Sequence, residues 1–285
     1  MSMHNRIYNA FKDIPNETWV EILCRTHRYP VVNGVGFPGF PDPQLQIGMV
    51  GSAYERGLRE VSALHREVHA YAQKIGFTFN ENTRALDFGC GFGRILRFFM
   101  KDIAPGNLVG TDVDPSFIDI CNSLFSGVRF DVNAPYPPLD WPDASFDLIY
   151  AYSVFTHLSE EAHRQWLKEL RRIARPGAII FLTLRQRSFL RQCQDLCSKA
   201  DASEYEQGLA RNFGELEAEM RHRYIRGEFI YCATGGGGVR TDDFYGDTVI
   251  PPKYIKQHWT EYFTIIDMAD DPRRMAQAFI VLQPR

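Results

Sequence analysis

Residues 85–94 read Ala-Leu-Asp-Phe-Gly-Cys-Gly-Phe-Gly-Arg, a short apolar run that ends in an acid and passes into a glycine-rich turn. Gly89, Gly91 and Gly93 let the backbone take positive φ and approach a ligand closely, and a helix predicted to open at Arg94 would add unpaired peptide N–H groups. The spacing narrows the choice of ligand. A dinucleotide turn, G-x-G-x-x-G counted from Gly89 and Gly91, needs glycine at 94, where this chain has arginine. The pattern here is D-x-G-x-G-x-G, with Asp87 at the end of the strand. A carboxylate beside the turn repels a pyrophosphate but suits the ammonium of an amino-acid tail.

A second carboxylate follows at an informative distance. Asn107–Asp114, Asn-Leu-Val-Gly-Thr-Asp-Val-Asp, reads as a strand ending at Asp112, which lies 19 residues after Gly93. In dinucleotide folds roughly 20 residues separate a glycine turn from the acid that accepts the ribose hydroxyls. Read alone, Asp112 would be a helix cap, but Asp114, just before Pro115 at the first helical position, is the better candidate for that task. An amino-acid tail and an adenosine ribose are the two ends of S-adenosylmethionine. Phe130–Ala134 would end a third strand, and Phe146–Tyr152 reads as a fourth, buried one.

These segments, in this order, resemble the class I S-adenosylmethionine-dependent methyltransferases, and the resemblance is strong over Thr83–Leu184. It is closest to a bacterial group recognisable from LDFGCGFGR, GTDVDP, SFDLIYAYSVFTHL and WLKELRRIARPGAIIFLT. The resemblance implies a Rossmann-like α/β sheet, S-adenosylmethionine as cofactor and S-adenosylhomocysteine as its product. It also implies that Asp87, Gly89, Cys90, Gly91 and Gly93 carry the methionine moiety, Asp112 with Val113 the ribose, and Asn133 with Ala134 the adenine. Many members have aspartate where Asn133 stands; an amide carbonyl can still accept from the adenine amino group.

Four stretches are expected around these motifs. Residues 1–82 form an N-terminal helical and loop extension, with helices at Asn16–Thr26 and Glu55–Ile75 around a Pro/Gly-rich segment, Pro30–Pro43. Within that segment Asn33–Pro41 reads as a loop able to fold over a site. Residues 83–184 are the cofactor-binding core, including a helix from Ser159 to Ala174 and a buried strand, Ala178–Leu184. Residues 185–250 are an inserted substrate cap with helices at Phe189–Lys199 and Glu204–Met220. The cap continues with a strand at Gly227–Ala233, and Gly235–Gly238 reads as part of a β-hairpin or mobile flap. Residues 251–285 supply a closing helix, Pro252–Tyr262, and strands Phe263–Met268 and Ala276–Leu282.

Composition is compatible with a globular enzyme and sets limits on its partners. The chain has 285 residues, 45% hydrophobic and 24% charged, enough to bury a sizeable core. A formal charge of −3 gives no global footprint for nucleic acid, and no nucleic-acid partner is expected. The basic run Arg221–Arg226 follows an acidic stretch, Glu204–Glu219, and reads as a solvated or ion-paired helix face. Nothing approaches eighteen consecutive apolar residues, so no membrane span is expected, and a cytoplasmic protein with reduced thiols is the default reading. Cys24, Cys90, Cys121, Cys193, Cys197 and Cys232 form no C-x-x-C pair and no metal-ligand spacing with histidine, so no metal is expected. Cys193 and Cys197 stand one helical turn apart, as structural thiols would.

Methyl transfer is an in-line displacement that requires the nucleophile to be held opposite the departing sulfur, with water excluded. A hydroxyl nucleophile also needs a base, and histidine is suited by a pKa near neutrality. His157, in Phe155-Thr-His-Leu158, follows the fourth strand at the edge where α/β ligands bind. It is either that base or a residue that caps or anchors the next helix. Tyr245 and His258 are further catalytic candidates. Tyr152 at the strand end would face the sulfonium or line the acceptor pocket, and Tyr54 would reach the cofactor from the N-terminal extension. The expected activity is biosynthetic O-methylation of a small molecule or glycan intermediate. The alternatives are methylation of a peptide or protein, for which the glycine flap would bind an extended chain, and a silent S-adenosylmethionine-binding scaffold.

Overall fold

Short apolar strands alternating with helices need a sheet that can be covered on both faces, and a parallel sheet is the economical solution. The computed structural model describes Met1–Arg285 in full. In chain order its elements are α1 (Met3–Phe11), α2 (Asn16–Arg25), β1 (Val31–Val32), β2 (Val35–Gly36), α3 (Pro43–Val50), α4 (Tyr54–Lys74) and β3 (Ala85–Phe88). A 3₁₀ segment (Leu96–Lys101) precedes β4 (Leu108–Asp112), α5 (Pro115–Leu124), β5 (Arg129–Val132), β6 (Phe146–Ala151), α6 (Glu160–Ile173) and β7 (Ala174–Leu184). Then come α7 (Arg187–Leu196), α8 (Glu204–Leu209), α9 (Glu217–Arg226), β8 (Ile230–Cys232), β9 (Asp247–Val249), α10 (Pro252–His258), β10 (Phe263–Ala269) and β11 (Ala278–Pro284).

Seven strands make a mostly parallel sheet of order β10-β11-β7-β6-β3-β4-β5. Strand β3 lies parallel to both β4 and β6, with Asp87 opposite Gly110 and Tyr150. The chain therefore leaves β3 first toward one side and later toward the other, and the turn after β3 lies at this switch point. Strands β10 and β11 run antiparallel to one another, with an irregularity between Ile265 and Asp267.

Contacts group the chain into two compact units. One comprises Met1–Ala134, Leu139–Ala151 and Ile173–Ile180; the other comprises Pro135–Pro138, Tyr152–Arg172 and Phe181–Arg285. In the first, Trp19 is fully buried and its indole N–H donates to the Phe98 carbonyl at 2.7 Å, fastening α2 to the 3₁₀ segment. In the second, Leu190, Cys193, Leu209, Phe213, Met220, Ile230 and Val249 form a core of their own.

Several local readings are revised. The helix expected at Arg94 is a 3₁₀ segment, Leu96–Lys101, with all six residues buried, so no solvent face exists to favour a long amphipathic helix. The helix expected over Glu204–Met220 breaks into α8, a wider π turn at Ala210–Gly214, and α9. A Cβ on Gly214 would lie 2.3 Å from the Cys193 carbonyl, so glycine is what admits this close approach of α7. Helix α3, which follows the expected loop where no helix was expected, is capped at Asp42, whose carboxylate accepts from the Gln44 N–H ahead of Pro43. Asp114 caps α5 as expected, accepting from the Ser116 N–H. The basic run on α9 is ion-paired, Arg223 and Arg226 both to Glu228 and Arg221 to Glu217. No helix is long and apolar enough to cross a membrane.

Candidate active site

In the first unit the glycine turn is built by backbone geometry. Gly89, Gly91 and Gly93 have φ of 77°, 52° and 75°. The N–H groups of Gly89 and Cys90 both donate to the Thr111 carbonyl at 2.8 Å, which ties the turn to β4. A Cβ at Gly93 would stand 2.7 Å from the Phe125 ring, so glycine is required there both by φ and by the close approach.

Asp112 is buried at the end of β4. One carboxylate oxygen accepts from the Gly91 N–H at 2.9 Å and the other from the Asp114 N–H at 2.9 Å. These bonds hold the acid against the turn. The Asn133 N–H donates to the Asp112 carbonyl at 3.0 Å, and its side-chain amide donates to Ala134, leaving the buried Asn133 Oδ1 without a donor. Val113 is half-buried and Ala134 exposed beside them.

Asp87 is 1% exposed, and its Oδ2 accepts no hydrogen bond. Burial, and then the charge of Asp112, push its pKa well above the ordinary carboxylate range. The group is thus set to ionise when a cation arrives. Cys90 is buried, with its thiol directed at the Gly91 carbonyl and its pKa raised by burial, so it is packing and not a nucleophile.

Three neighbours escaped the sequence reading. The Met49 methyl group, on α3, lies on the glycine turn, only 2.6 Å from where a Gly91 Cβ would stand. Arg97 is fully buried, donates to the carbonyls of Pro38 and Gly39, and lies 4.1 Å from the Phe40 ring. Burial lowers its pKa to about 9. Gln46, buried on α3, accepts from the Tyr54 N–H at 3.0 Å, while the Tyr54 ring stacks on His27. The Asp42-Pro43 pair was the available signal for α3; no local pattern marks Arg97 as buried.

In the second unit His157 is 12% exposed and its Nδ1 donates to the Gly246 carbonyl at 2.7 Å. This bond fixes the Nδ1–H tautomer and leaves Nε2 as the acceptor nitrogen. Tyr245 stacks on the ring, 4.7 Å away and nearly parallel. Asp247 lies 3.6 Å from Nδ1 and receives hydrogen bonds from Arg185, Tyr205 and Thr234. Burial, and then the positive charge of Arg185, lower the His157 pKa to about 3. The expected pKa near neutrality is therefore replaced by a ring that is neutral at physiological pH. Nor does His157 cap α6: Ser159 does so, accepting from the Ala162 N–H.

Tyr152 is half-buried just beyond β6, and His258 packs on Tyr254 with centroids 4.2 Å apart. The structure thus brings Asp87, the glycines, Asp112 and Asn133 together in one unit. It brings His157 together with Tyr245 in the other, along with Arg185, Tyr205 and Asp247, which no sequence motif marked.

Residues 85–177 match the family model described as a methyltransferase domain. A ribosomal protein L11 methyltransferase of Methylobacillus flagellatus is 30% identical over 128 residues, covering 45% of this chain and 41% of that protein. A second, from Ralstonia pickettii, is 39% identical over 69 residues, covering 24% of this chain and 22% of its own length. The chain thus spans less than half the length of these curated relatives. A solved S-adenosylmethionine-dependent methyltransferase from Anabaena variabilis superposes with a TM-score of 0.51 at 15% identity, covering 96% of both chains, and shares the fold. The family match lies within residues 85–177, and the likeness to the Anabaena structure is one of fold.

Proposed function

We propose that the protein transfers a methyl group from S-adenosylmethionine to an oxygen of a small molecule or glycan intermediate. The observation that carries the cofactor half is the Asp87 oxygen, buried and without a donor beside the glycine turn, a place suited to an ammonium. When bound, the cofactor supplies a methyl group on a sulfonium and leaves as S-adenosylhomocysteine. In this reading Asp87 holds the ammonium, Asp112 the ribose hydroxyls and Asn133 Oδ1 the adenine amino group. Cys90, Val113 and Ala134 line the cofactor, with Tyr54 and Tyr152 beside it.

His157 orients the hydroxyl through Nε2. With a pKa near 3 it is a weak base, so orientation is its larger contribution and the proton passes on to solvent. Tyr245 holds the ring flat by stacking. The lean toward oxygen rests on this neutral acceptor nitrogen.

Two measurements test the reading. S-adenosylmethionine or S-adenosylhomocysteine at a hundredfold excess over Kd should stabilise the fold by about 2.7 kcal/mol, seen as a higher melting temperature, whereas NAD should not. A shift with NAD alone overturns the cofactor assignment. His157→Ala should slow single-turnover methyl transfer by roughly a hundredfold while leaving cofactor affinity near wild type. A variant at full rate removes His157 from the chemistry and moves attention to Tyr245 and His258.

A second reading, methylation of a peptide or protein, is favoured by the names of the matched relatives and by Gly235–Gly238 between β8 and β9. Mass spectrometry of a panel of hydroxylated small molecules, glycans and peptides, incubated with enzyme and cofactor, decides between them. A scaffold would methylate none.

A further inference from the structure

A cavity of about 830 Å³ in the first unit is bordered by residues of α2 and α4 and by the Gly76–Phe79 segment, apart from the groups assigned above. At its wall His65 and His69, one turn apart on α4, converge on Asp102. His65 Nε2 is 2.7 Å and His69 Nε2 3.1 Å from Asp102 Oδ2, and the two ring nitrogens are 3.1 Å from each other. We propose that His65, His69 and Asp102 bind a divalent cation of the zinc class.

The geometry carries the proposal. Three lone-pair atoms meet at one point, and each placement of protons leaves two like partners in contact: two N–H groups side by side, or a ring lone pair against the carboxylate. A cation relieves all three contacts at once. An ion about 1.0 Å above the plane of the three atoms would stand about 2.0 Å from each, the length of zinc–nitrogen and zinc–oxygen bonds.

The surroundings match. Lys101 donates to the other Asp102 oxygen at 2.7 Å and so turns Oδ2 toward the histidines, as an outer partner orients a ligating carboxylate. Glu17 and Glu21 line the same cavity and add acidic groups to its wall. His65 and Asp102 are buried while His69 is 21% exposed, so the cavity side offers a fourth position to water. Two imidazoles and one carboxylate favour zinc, cobalt or nickel over magnesium or calcium.

The test uses tag-free, full-length protein stripped with a chelator. Titrated with cobalt, it should bind one ion per chain and develop the visible absorption of a four-coordinate site, and zinc should raise its melting temperature. His69→Ala should weaken cobalt binding by at least roughly tenfold and abolish the zinc-dependent shift, while His222→Ala, on the exposed face of α9, should retain both. If His69→Ala is poorly folded, His69→Gln provides the same comparison. Wild-type protein with neither the absorption nor the shift, or a His69 variant that keeps them, overturns the proposal and leaves the cluster a hydrogen-bonded ion pair.

Discussion

Asp87 and Asp247 are both almost fully buried, yet their carboxyl groups are driven in opposite directions. At Asp87 burial and the neighbouring Asp112 raise the pKa well above the usual range. At Asp247 burial would do the same, but the charge of Arg185 and the bonds from Arg185 and Tyr205 outweigh it, and the pKa is lowered. One carboxyl therefore has a site built around it and an oxygen without a donor, whereas the other already has its cation. The first is poised for a ligand; the second holds its own unit together.

The largest expected effect is in the paired cluster. Arg185→Met leaves Asp247 a buried charge without its counterion and should cost about 3–5 kcal/mol of stability in a denaturant titration. The double change Arg185→Met with Asp247→Leu should recover much of this; a single variant as stable as wild type would break the contrast. Next comes Asp112→Ala, which should weaken cofactor binding by about 1.5–3 kcal/mol, because bonds to a charged group are lost and the Gly91 N–H is released. Calorimetry showing unchanged affinity rejects its role.

Asp87→Asn sharpens the contrast from the other side. It should leave the melting temperature of cofactor-free protein nearly unchanged, since it removes a carboxyl whose charge is already disfavoured, and should weaken S-adenosylmethionine binding by roughly tenfold. In the wild type, binding should release a proton and tighten as pH rises above the ordinary carboxylate range. Calorimetric heats that do not depend on the buffer's ionisation enthalpy would refute the linkage.

The smallest effect concerns acid stability. His163 is fully buried, neither ring nitrogen has a partner, and burial lowers its pKa to about 3. The unfolded chain binds a proton near pH 6.5 and the folded chain does not, so the stability this group contributes is present above 6.5 and lost as pH falls from 6.5 toward 3. Its ring packs among Phe155, Phe229 and Trp259. His163→Phe should keep the fold and flatten the loss of melting temperature across that window. An unchanged pH dependence would assign the loss to other groups, His157 among them.

What could be read without the structure lay where chemistry is local. The D-x-G-x-G-x-G turn, the Asp112 strand end and the Asp114-Pro115 cap each depend on residues within a few positions of one another, because φ, peptide N–H direction and capping are set by neighbouring backbone. The alternation of strands and helices that makes the α/β sheet was legible for the same reason. Tertiary structure alone decided the rest. It brought Arg185 and Tyr205 to Asp247, Met49 to the glycine turn, and Asp102 to His65 and His69. It also set the His157 pKa, because burial and the field of a guanidinium 28 residues away in sequence depend on packing in space and have no period or spacing along the chain.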